Sequence, residues 1–82
     1  MNRPEATTVL REILEACREL VEMNYVSLNP SDARIRKSSD DYELYIKCTL
    51  NGPLRLCLAP ILEKHQLRMK ELSGAISIYT PK

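Results

Sequence analysis

The period of the hydrophobic pattern changes once early in the chain, and that change restricts the fold more than any other feature. Through residue 23 the apolar side chains Ala6, Val9, Leu10, Ile13, Leu14, Cys17, Leu20 and Val21 recur at three-and-four spacing, which makes one face of a helix. Asn2 stands three residues before Glu5 in a variant capping box, and Pro4 suits a first turn where its missing N–H costs nothing. Arg11–Glu15 and Arg18–Glu22 form i,i+4 pairs on the polar face, each contributing about 0.2–0.5 kcal/mol. Turn residues between Asn24 and Asp32 end the helix near Met23.

After that the period is two. Ala33–Lys37 and Tyr42–Leu50 alternate around Ser38-Ser39-Asp40-Asp41, which predicts two half-buried strands joined as a hairpin. A second pair, Leu67–Leu72 and Ala75–Thr80, brackets Ser73-Gly74 and predicts a second hairpin.

Residues 53–72 admit two readings. Asn51-Gly52 is a hairpin signal, and Leu54, Leu56 and Leu58 alternate. Leu54, Cys57, Leu58, Ile61, Leu62 and His65 also form a longer helical stripe, and Pro53 suits a helix start. The longer pattern predicts a helix over 53–65, kinked at Pro60. Its rival carries a helix through to Leu72, with Gly74 as the C-cap.

The resulting order is helix–strand–strand–helix–strand–strand. It predicts a single α+β domain over residues 1–82, a two-layer sandwich with a four-stranded antiparallel sheet and two helices on one face. Eighty-two residues leave no room for a second core. Two glycines exclude Gly-rich phosphate loops of the Rossmann or Walker type. No apolar run near the N-terminus reads as a signal peptide, and three cysteines make a poor disulfide framework, so the expected compartment is the cytoplasm.

Cys17, Cys48, Cys57 and His65 equal a zinc-ligand set in number but lack its local spacing. Each cysteine falls on the apolar side of its element, where a thiol packs as a small hydrophobe. Cys57 and His65 lie about 12 Å apart along a helix, too far for a thiol–imidazole pair. His65 fits a helix C-terminus, where its positive form is favoured. Asp40 and Asp41 read as turn residues rather than a general acid–base pair. No metal or cofactor is expected, and catalysis is the least favoured class.

Charge is the one functional signal. Residues 1–30 hold three basic and five acidic side chains, hence −2, whereas residues 31–82 hold nine and six, hence +3. If the apolar parity of the strands faces the helices, the other face carries Arg34, Arg36, Lys47, Arg68 and Lys70 with Tyr45 and Tyr79, beside Glu43, Thr49 and Ser77. Lysine and arginine on an exposed sheet also serve solubility and discourage edge pairing. Tyrosine and arginine are favoured at interfaces, so a non-catalytic module that associates with a protein or with itself is the first expectation. Single-stranded nucleic acid on the same face, with cations meeting phosphates and rings meeting bases, is the second.

Overall fold

The computed structural model describes residues 1–81. Helix α1 spans Arg3–Ala16 and α2 Arg18–Glu22; strands β1 (Ala33–Ser38) and β2 (Asp41–Lys47) follow, then α3 (Gly52–Lys64), β3 (Arg68–Leu72) and β4 (Ala75–Tyr79). The strands form one antiparallel sheet in the order β1-β2-β4-β3. The α+β architecture is therefore the expected one. Residues 53–72 resolve as helix then strand, because Leu54, Leu58 and Ile61 bury the helical stripe.

Helices α1 and α3 each start on a side-chain cap. The Asn2 side chain accepts from the Glu5 N–H at 2.8 Å, and that of Asn51 accepts from the Leu54 N–H at 2.9 Å. Caps of this type contribute about 1 kcal/mol each. Asn51-Gly52 thus starts a helix instead of turning a hairpin. The same Asn51 amide donates to the Tyr25 carbonyl at 3.0 Å, tying the loop after α2 to the start of α3.

The first helix is not continuous as its stripe suggests. Cys17, at φ −92° and ψ 2°, separates α1 from α2, although its N–H still donates to the Ile13 carbonyl at 3.0 Å. Arg18 takes both carboxylate partners there, Glu15 at 3.0 Å and Glu22 at 3.8 Å. The expected Arg11–Glu15 pair gives way to the first of these. Both helical segments end on a left-handed residue: Asn24 (φ 63°) after α2 and Gln66 (φ 54°) after α3. In each case the next N–H reaches back five residues, Tyr25 to Leu20 at 2.9 Å and Leu67 to Leu62 at 2.8 Å.

Pro60 lies within α3 without ending it. Its ring removes the bond to the Leu56 carbonyl, and both residues are exposed, so water can satisfy that carbonyl. The β3–β4 connection is the two-residue turn Ser73–Gly74, where Gly74 adopts φ 72°, a conformation costly for side chains with a Cβ. The first hairpin is tighter than expected, since Ser38 and Asp41 pair within the strands and only Ser39 and Asp40 turn. Strand β2 ends at Lys47, so Thr49 leaves the sheet and does not join its outer face.

The helices cover one side of the sheet. Ala6, Val9 and Ile13 of α1 and Leu54, Leu58 and Ile61 of α3 share one core with Leu44 and Ile46 of β2 and Ile76 and Ile78 of β4. Helix α1 touches β1, β2 and α3. Across the helix pair, Glu12 meets Lys64 at 3.3 Å and His65 at 3.1 Å. At the far edge, Arg55 of α3 reaches Glu71 of β3 at 3.9 Å.

Candidate functional site

The register decides which side chains meet on the side of the sheet away from the helices. Arg34 pairs with Tyr45, Tyr45 with Ser77, and Ser77 with Lys70, giving one row across all four strands. The neighbouring row begins with Arg36 paired to Glu43 and ends with Tyr79 paired to Arg68. Because Leu44 pairs with Ile78, the next step along β2 and β4 brings Glu43 beside Tyr79. Lys47, paired with Ala75, closes the face at its third row. All seven residues singled out by strand parity, Arg34, Arg36, Tyr45, Lys47, Arg68, Lys70 and Tyr79, therefore share one face.

Their arrangement has two cationic borders. Arg34 and Arg36 lie on edge strand β1, and Arg68 and Lys70 on edge strand β3. Three inter-strand spacings put these borders about 14 Å apart, and within each border the cations stand about 6.7 Å from one another. Arg34, Lys47, Arg68 and Lys70 form no ion pair among the described residues. Desolvating them would therefore break no existing pair.

Between the borders lie Tyr45, Glu43 and Tyr79, with Ser77 buried among them. The Arg36 guanidinium sits 4.9 Å from the centre of the Tyr45 ring, a cation–π contact. Ser77 donates to Glu43 Oε2 at 3.1 Å, while Arg36 Nε stays 4.0 Å from Glu43 Oε1, too long for a hydrogen bond. Two depressions flank this strip. One, of about 120 Å³, is lined by Ser31, Asp32, Arg34, Tyr45 and Lys47. The other, of about 300 Å³, is lined by Ser38, Asp41, Tyr42, Glu43, Tyr79 and Thr80.

Asp41 is more than the turn residue its sequence context suggests. The Met1 ammonium donates to Asp41 Oδ1 and, at 2.7 Å, to Thr80 Oγ1, and the Tyr42 N–H donates to the Met1 carbonyl at 3.0 Å. This contact spans forty residues of chain, which no local pattern encodes. The ammonium first, and the Tyr42 backbone N–H next, hold the Asp41 carboxyl below the usual aspartate range. A depressed carboxyl adds stability above the unfolded aspartate value, and that stability is lost as pH falls through the folded value. Asp41→Asn is therefore expected to lower the melting temperature near neutral pH. The gap from the parent should narrow as pH falls below the ordinary aspartate range, as thermal melts across pH will show.

The thiols lie inside. Cys17 and Cys48 are buried and Cys57 is half-buried. Burial first, then the neighbouring Cys57 thiol, pushes the Cys17 thiol far up, and burial raises that of Cys48, so neither forms a ready thiolate. His65 is the C-cap residue of α3, and its Nε2 faces Glu12 rather than a cysteine. That contact, with Lys64 beside it, lowers the Glu12 carboxyl. Among the described residues no three His, Cys, Asp or Glu side chains converge as metal ligands, and no helix is long and apolar enough to cross a membrane.

No family model matches this chain, and neither a curated protein nor a solved structure matches it.

Proposed function

We propose that the chain is a non-catalytic binding module whose uncovered sheet face takes single-stranded nucleic acid. One observation carries the reading: five cations and two tyrosines from four strands share a face whose central strands carry two carboxylates, Glu43 and the Asp41 paired with the Met1 ammonium. Extended nucleic acid offers a phosphate every 6–7 Å or so, close to the i,i+2 repeat of a strand, and its bases supply flat partners for rings and guanidinium planes.

The same observation ranks this reading above association through the sheet. Interface cores are depleted of charge, and this face is bordered by cations on both sides. Both edge strands also carry charged side chains, which disfavours strand pairing between copies. A protein partner is the second reading, favoured by a different surface. Met23, Tyr25 and Leu56 are exposed, and the Asn51–Tyr25 bond brings the first two to the α3 end of the molecule.

Amide-shift mapping with a mixed-sequence 12-nucleotide RNA tests the proposal. Saturable shifts at Arg34, Arg36, Tyr45, Lys47, Arg68, Lys70 and Tyr79 are expected at low salt, weakening at physiological salt. Absence of shifts at both salts overturns it, and shifts confined to Met23, Tyr25 and Leu56 would redirect attention to the helical surface.

A further inference from the structure

The depression of about 300 Å³ beside Tyr79 differs chemically from the rest of the face. The borders are cationic, yet this hollow presents the Glu43 carboxylate next to an aromatic ring, and the other carboxylate in its lining, Asp41, is already paired with the Met1 ammonium. A carboxylate repels phosphate, so the hollow is unsuited to the backbone of the ligand. It is suited to the edge of a base that carries hydrogen-bond donors.

Glu43 is held for such a role. Its side chain is only 24% exposed, and Ser77 Oγ fixes Oε2 at 3.1 Å. The second oxygen, Oε1, accepts no hydrogen bond from Arg36, whose Nε lies 4.0 Å away. An ionised carboxylate has about four acceptor sites, so Oε1 keeps capacity for an incoming N–H. Tyr79, one strand over, offers a ring on which a base can stack, and the hollow is large enough for one base.

We infer that Glu43 is a specificity-determining residue: it accepts from the exocyclic amino group of one base seated against Tyr79, so that the face prefers cytosine to uracil. The two pyrimidines have nearly the same shape. Cytosine presents an N4 amino donor where uracil presents the O4 acceptor, which would face Glu43 Oε1 lone pair to lone pair. This inference rests on the nucleic-acid reading above and names the base class for the same site.

The test uses fluorescence anisotropy with labelled C12 and U12 RNA at low salt. The parent protein is expected to bind C12 about tenfold more tightly, within the range of one base-edge contact. Glu43→Gln keeps the shape and replaces one acceptor by a donor that can meet O4, so it should bring the two affinities within about twofold. A 12-mer of N4,N4-dimethylcytidine, which lacks the donors, should bind the parent protein like U12; this arm needs no protein variant to fold. Equal binding of C12 and U12 by the parent, or a preference that survives Glu43→Gln, overturns the role of Glu43 and leaves the nucleic-acid reading standing. Absence of binding to every oligonucleotide overturns that reading and this inference together.

Discussion

Replacing Arg34, Arg36, Arg68 and Lys70 together by glutamine is expected to abolish RNA binding and to flatten its salt dependence. The size of the effect follows from counterion release. A single strand contacted by five cations should lose affinity with a slope of about −3.5 in log–log form, or roughly 100-fold between 50 and 200 mM salt. With only Lys47 left on the face, the slope falls to about −0.7 and the same salt step costs less than threefold. The four side chains are exposed and lie on the edge strands, so the fold should survive their neutralisation. Arg36 is the exception to watch, since it also touches Tyr45 and lies near Glu43. A titration series of labelled RNA binding against salt, run beside a thermal melt, separates lost charge from lost structure. An unchanged slope in the fourfold variant would remove the face from consideration.

The second large effect is on stability. Ile78 is fully buried at the centre of a cross-sheet row, paired to Leu44 on one side and Met69 on the other, with Ile35 beyond Leu44. Ile78→Ala removes three carbons from a site that strands on both sides hold open, so the cavity cannot readily collapse. A loss of about 3–4 kcal/mol is expected. A domain this size has a total stability of about 4–12 kcal/mol, so the substitution takes a large fraction of it. The melting temperature should fall by roughly 12–32 °C. Chemical denaturation should report the loss with an unchanged m-value; a shift below 1 kcal/mol would mean that the sheet relaxes around the missing side chain.

Much of this arrangement can be read from alternation alone. Wherever a strand buries one face and wets the other, parity assigns every side chain, and so Arg34, Arg36, Tyr45 and Lys47 could be placed together before any register was known. The β3 residues Arg68 and Lys70 depended on a choice between helix and strand that the local pattern left close. What settles that choice is tertiary: Leu54, Leu58 and Ile61 fill the core under α3, and Leu67 and Met69 continue it from the next element. Asn51 illustrates the opposite problem. Asn-Gly favours both a hairpin turn and a helix cap, and Pro53 decides for the helix only because a helix can accept it in its first turn.

The contacts that escaped sequence reading are those made across long stretches of chain. Glu12 with His65, the Met1 ammonium with Asp41, and Ser77 with Glu43 join residues that share no repeat or motif. Glu43 could be placed on the charged face by parity, yet its position beside Tyr79 required the β2–β4 register. The interruption at Cys17 was equally silent, because the apolar stripe passes through it without a break.

The strand order has a kinetic consequence. Both hairpins close over turns of two residues, and the second follows α3 after only three residues, so many early contacts are local. The ladder between β2 and β4 alone joins the two hairpins within the sheet. Loop-closure entropy is therefore concentrated in a single docking event, a topology associated with an intermediate contact order. Glu43 belongs to one half, and Ser77 and Tyr79 to the other, so neither half alone contains the base-reading corner. The surface comes into being only when the halves meet, and a ligand spanning that seam would slow their separation.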